Sequence, residues 1–117
     1  PLCRRQTDCL MDMLEKLKAE YRASLPQKLD TIRITVAAVL RSLESKKKPD
    51  WENLEFIIHK FAGSSGTYGF KEMSAHARSL EERISENIFA TKTPAENHDW
   101  LTNWLEQLET FMEKKAA

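Results

Sequence analysis

At 117 residues the chain has the length of one domain, enough to bury one core but not two. Eighteen basic residues offset eighteen acidic ones to a formal charge of zero, so no bulk field gathers phosphate backbones or anionic lipid, which argues against nucleic-acid and membrane-surface partners. Three glycines and four prolines among abundant Leu, Glu, Lys and Ala favour helix, no apolar run approaches the roughly 20 residues of a bilayer span, and with no signal-like opening segment a cytoplasmic protein is expected.

Residues 1–7 are expected to be disordered or foreign to the domain, and residues 8–115 to form it. Cys3 and Cys9 have no second pair to complete a zinc site and no wider cysteine framework, so they are expected to be reduced thiols. From Asp8 to about Tyr21, the residues Leu10, Met13, Leu14, Leu17 and Tyr21 recur at steps of three and four, which predicts a first helix. Ser24, Leu25 and Pro26 then read as a new helix start, because proline is tolerated in a first turn whose amides lack acceptors. The second helix runs to about Ser45 on a stripe of Leu25, Leu29, Ile32, Val36, Val39, Leu40 and Leu43. Lys46-Lys47-Lys48-Pro49-Asp50 breaks it, with Asp50 a cap for the next helix and the lysines a solvated helix end.

The third helix begins near Trp51, carries Leu54, Ile57, Ile58 and Phe61 inward, and is expected to fade at Gly63 to Gly66. A fourth runs from about Gly69 to Asn87 with Phe70, Met73, Ala77, Leu80, Ile84 and Ile88 in register. Thr93-Pro94-Ala95-Glu96 has the form of a capping box and opens a last helix through Trp100, Leu101, Trp104, Leu105, Leu108, Phe111 and Met112. Short connections make antiparallel neighbours, so the expected fold is all-α: an antiparallel up-and-down four-helix bundle with an additional N-terminal helix capping one end. One bundle satisfies its own stripes, and a monomer is expected.

On the third helix His59 lies roughly 100° around from Ile58 and 200° from Ile57, so it points off the core. One turn to either side lie Glu52, Glu55, Phe56, Ala62, Gly63 and Gly66. Glycine inside a helix costs about 1 kcal/mol relative to alanine, and two close together need an offsetting reason. One reason is a partner whose backbone approaches the imidazole; the other is tight helix packing at Gly63 with a turn at Gly66 and Gly69.

The segment resembles the histidine phosphotransfer (HPt) family, whose signature is a histidine, an apolar residue two on, a glycine four on, small residues next and a glycine ten on. Here these are His59, Phe61, Gly63, Ser64 with Ser65, and Gly69, with Tyr68 at the bulky position before the last glycine. The resemblance covers about Leu10 to Leu108 and is strongest from Phe56 to Leu80. Many members have a lysine three residues after the histidine; here that place is Ala62, which resembles a subgroup with alanine there, and Lys60 or Lys71 is the candidate replacement cation.

The resemblance implies a phosphoryl shuttle in a two-component phosphorelay. His59 accepts a phosphoryl group from an aspartyl phosphate on a response-regulator receiver domain and passes it to another receiver, without kinase activity of its own. A neutral imidazole is a competent nucleophile near neutral pH, and positioning is most of what this side of the reaction requires. No cofactor or metal is expected on this chain; Mg2+ belongs to the partner receiver. Lys60, Ser64, Ser65 and Glu55 are candidates to support the phosphoryl group or the ring, and Phe56, Ala62, Gly63, Gly66 and Lys71 to dock the receiver. A hybrid sensor kinase is a further candidate partner. Glu55, one turn before His59, is placed to orient the ring or simply to be solvated; the two serines either reach the phosphoryl oxygens or bond back to helix carbonyls.

Other chemistries fit less well. A metal site needs His59 to meet His76 or His98, and no pair has chelating spacing. Gly63-Ser64-Ser65-Gly66 lacks the remaining residues of a serine-hydrolase elbow or a phosphate loop, and the strands of an RNA-binding GxxG fold are missing. The alternative that remains is a non-catalytic helical adaptor that binds receivers without phosphotransfer.

Overall fold

The computed structural model describes residues 6–116, with side chains from residue 9 to residue 114. In chain order they form α1 (Gln6–Glu44), α2 (Trp51–Thr67), α3 (Lys71–Ser85), a 3₁₀ turn (Ile88–Thr91) and α4 (Pro94–Ala116). Every regular element among the described residues is helical, and no helix there is long and apolar enough to cross a membrane.

The expected break at Ser24 to Pro26 is absent, which corrects the reading of a separate N-terminal helix. One helix of 39 residues spans both segments, roughly 58 Å at 1.5 Å per residue, close to the 61 Å long axis of the molecule. Proline removes one amide and crowds the carbonyl four residues back. That carbonyl belongs to Arg22, which, like Pro26, faces water, while buried Tyr21, Leu25 and Leu29 hold the helix against the core across the gap. Ser24 does not cap: its hydroxyl donates to the Tyr21 carbonyl at 2.6 Å. The two caps read from sequence do form. The Asp50 carboxylate accepts from the Asn53 amide at 3.1 Å and Thr93 Oγ1 from the Glu96 amide at 3.1 Å.

The core is a single cluster to which α1 gives Leu25, Ile32, Val36 and Val39, α2 gives Leu54, Ile58 and Phe61, α3 gives Met73, Ala77 and Leu80, and α4 gives Leu101, Trp104 and Leu108. α1 lies beside α2 and α4, and α3 closes the ring by touching both. Polar contacts tie the helices along their lengths. Arg33 meets Glu109 at 2.8 Å and His98 meets Glu44 at 2.9 Å between α1 and α4. The Tyr21 and Ser64 hydroxyls are 2.7 Å apart between α1 and α2. Between α3 and α4, His76 stacks on Trp104, its Nε2 donating to the Trp104 carbonyl at 2.8 Å, and Trp104 Nε1 donates to the His76 carbonyl at 2.9 Å. Burial pushes the Tyr21 hydroxyl above its ordinary pKa, against a smaller lowering by its bond to Ser64.

The stripe that faces the core along α1 continues past the bundle. Leu10, Met11, Met13, Leu14 and Leu17 are exposed, so the premise that one bundle satisfies all its apolar stripes does not hold for residues 10–17. The two parts of α1 therefore differ in energetics. Leu25→Ala is expected to cost about 3 kcal/mol in denaturant unfolding, and Leu14→Ala, about three turns away on the same helix, less than about 0.5 kcal/mol. Equal costs would mean that the first turns of α1 pack on the bundle. Cys9 is disulfide-bonded, which corrects the reduced-thiol reading for it; counting cysteines excludes frameworks and metal sites but not a single bridge. Cys3 lies outside the described residues, as do residues 1–5 of the segment expected to be disordered.

Candidate functional site

α2 does not fade at Gly63. It continues to Thr67, and the hydroxyls along its last two turns bond back to its carbonyls, Ser64 and Ser65 to Phe61 and Thr67 to Gly63. The chain then turns sharply through Tyr68 and Gly69. Gly69 has φ +85°, a left-handed conformation that glycine adopts without strain. The Gly69 amide donates to Gly66 and the Phe70 amide to Ser65, which delivers the chain into α3 alongside α2. Tyr68 stacks on Tyr21 at 4.7 Å and Phe61 is buried, so Phe61, Tyr68 and Gly69 are structural.

His59 projects from the middle of α2, its side chain 70% exposed. Its ring is hydrogen-bonded through Nδ1 to Oε2 of Glu81, a residue of α3 whose side chain is only 20% exposed. A carboxylate oxygen accepts, so Nδ1 carries a proton, and in the neutral ring Nε2 then presents its lone pair. Among the described residues Nε2 has no hydrogen-bond partner. The carboxylate at the ring is thus Glu81 and not Glu55, which makes no hydrogen bond or ion pair to it. Sequence reasoning misses Glu81 for a geometric reason: Glu55 shares a helix with His59, whereas Glu81 is 22 residues away and is brought there only by the pairing of α2 with α3.

The remaining candidates divide by azimuth around α2. Phe56 is 61% exposed, with the Lys60 ammonium 5.1 Å above its ring. Gly63 is open, since a Cβ there would meet nothing within 4 Å. These flank His59 on the solvent side. Ala62 does not: it is 1% exposed and faces α3, where its carbonyl accepts from Ser74 at 2.8 Å. Ala62 is therefore a packing residue and not part of a docking face, being nearer in angle to Ile58 than the outward face allows. Gly66 is likewise a close approach, because a Cβ on it would lie 3.0 Å from Ser74 Oγ.

The serines are turned away from the imidazole. Ser65 is fully buried, donating to the Phe61 carbonyl at 2.7 Å, and Ser64 faces α1 and Tyr21. Neither is placed as phosphoryl support, since both occupy the core side of α2 that the helical period assigns them. Lys71 is exposed at the start of α3. His76 and His98 are engaged with Trp104 and Glu44, away from His59.

The two helical glycines make opposite predictions. Gly63→Ala is expected to stabilise the fold by up to about 1 kcal/mol, the gain in helix propensity with no clash. Gly66→Ala is expected to lose about 1 kcal/mol by displacing the buried Ser74 hydroxyl. Thermal unfolding of the two variants checks the order, and a reversal would mean that Gly66 does not pack against Ser74.

An exposed imidazole with one nitrogen held by a carboxylate and the other facing solvent beside a bare helix face can donate an electron pair to an incoming electrophile without any further base. The family model described as Hpt domain matches residues 16–113 of the chain. No curated protein and no solved structure matches it.

Proposed function

The chain belongs to the Hpt domain family, which carries a histidine phosphotransfer role in two-component signalling, and from that premise we propose that His59 is its phosphoacceptor. It takes a phosphoryl group from the aspartyl phosphate of one receiver domain and returns it to the aspartate of another. The observation that carries this reading is the His59 ring itself, exposed, with Nδ1 on Glu81 and Nε2 free.

The transfer balances without an external base. The Nε2 lone pair forms the N–P bond as the P–O bond to the aspartate breaks, and the departing carboxylate keeps the electron pair. The ring becomes positively charged, its Nδ1 proton held by Glu81. Ion pairing with that carboxylate stabilises the charged ring, and a charge-assisted hydrogen bond strengthens as the charge forms. In the reverse step the retained Nδ1 proton makes the imidazole a good leaving group, so the same contact serves uptake and delivery.

We place the chain in the subgroup with alanine three residues after the histidine, and its helices in an antiparallel up-and-down bundle; the opposed contacts Arg33 with Glu109, Glu44 with His98 and His59 with Glu81 support the arrangement. Phe56 and Gly63 form the receiver-docking surface, with Lys60 at its rim, and Mg2+ is supplied by the receiver. The carrier works in the cytoplasm as a stoichiometric intermediate rather than an enzyme. Incubation with a phosphorylated receiver tests the reading. Acid-labile, alkali-stable phosphate is expected on the chain, and its absence with every receiver from the same organism would leave the non-catalytic adaptor.

A further inference from the structure

Phosphorylation of His59 brings about two negative charges to a ring already bonded to a carboxylate, Glu81. Like charges this close are unfavourable, so the phosphoryl group needs a cation within reach. Ala62 has no charge and is buried. Lys60 is on the far side of His59 from α3, about 100° further around α2, and its ammonium rests over Phe56 at 5.1 Å. Lys71 is ten residues before Glu81 on α3, about 15 Å along the helix.

Arg78 fits the requirement. It lies three residues before Glu81 on the same face of α3, where β-carbons are about 5–6 Å apart. α3 pairs with α2 so that Glu81 meets His59 and Ser74 meets Ala62, which sets Arg78 between those two contacts, beside His59 and the open face of Gly63. It is exposed, and among the described residues it has no ion pair, hydrogen bond or ring contact. Its guanidinium is therefore uncommitted, and its planar fork suits two phosphoryl oxygens at once, which an ammonium does not.

We infer that Arg78 binds the phosphoryl group on His59, supplying from α3 the positive charge that α2 lacks. The inference rests on the phosphocarrier reading. Phosphoramidate separates it from receiver docking, because the small donor phosphorylates imidazole directly: its P–N bond breaks, the Nε2–P bond forms, and ammonia leaves. Arg78→Ala is expected to slow phosphorylation of His59 roughly tenfold, the loss of one charge-assisted contact, with Arg78→Lys recovering part of the rate. The Arg78 Nε–H resonance is expected to shift when the wild-type chain is phosphorylated. A wild-type rate in Arg78→Ala, or an unmoved resonance, overturns the assignment while leaving the phosphocarrier intact. No phosphate on the wild-type chain from phosphoramidate or receiver overturns both.

Discussion

His59→Gln is expected to abolish phosphate uptake completely while leaving unfolding within about 0.5 kcal/mol of the wild type. The separation of the two effects comes from position. The His59 side chain is 70% exposed and contributes nothing to the cluster built on Leu54, Ile58 and Phe61. Glutamine is a good helix former and can keep a hydrogen bond to Glu81 through its amide, so the fold loses little. Its side chain has no nucleophilic nitrogen, because the amide lone pair is delocalised, so the chemistry loses everything. Residual phosphate on the variant, measured by alkali-stable label, would place the acceptor elsewhere on the chain.

Removing the carboxylate at the ring is expected to have the next largest effect. In Glu81→Ala the ring loses the partner that fixes its tautomer and stabilises its developing positive charge. A hydrogen bond to a charged group contributes about 2 kcal/mol, which corresponds to roughly 30-fold in the transfer rate. Glu81→Gln keeps an acceptor for the Nδ1 proton but not the charge, so its rate is expected to fall between the two. Single-turnover transfer from a phosphorylated receiver reads this directly, and rapid-quench time points separate it from any change in docking. An alanine variant at the wild-type rate would mean that the Nδ1 contact to Glu81 plays no part in transfer.

The sequence is informative where one helix decides the outcome. The outward direction of His59 comes from the period of Leu54, Ile58 and Phe61, and the Asp50 and Thr93 caps from side chains that bond amides three residues on. It misleads where a local rule competes with packing. Pro26 is a sound stop signal taken alone, but buried Tyr21, Leu25 and Leu29 carry α1 through it. Gly63 and Gly66 are helix-weakening residues of one type with two different fates, and only the presence of Ser74 of α3 beside one of them tells them apart. Ala62, Ser64 and Ser65 stand close to the histidine in sequence but not around it in space, because a helix turns adjacent residues about 100° apart. Glu81 is invisible for the complementary reason. It reaches His59 across the α2–α3 contact, and no wheel drawn on one helix includes the residues of another.

The nitrogen that carries the phosphate, and the residue it belongs to, decide whether His59 is the acceptor. Chain phosphorylated by a receiver and examined by 31P and 1H–15N NMR is expected to show a single phosphohistidine, at Nε2 of His59, with the Nδ1 proton retained against Glu81. Phosphate on Nδ1, or on any residue other than His59, would contradict it.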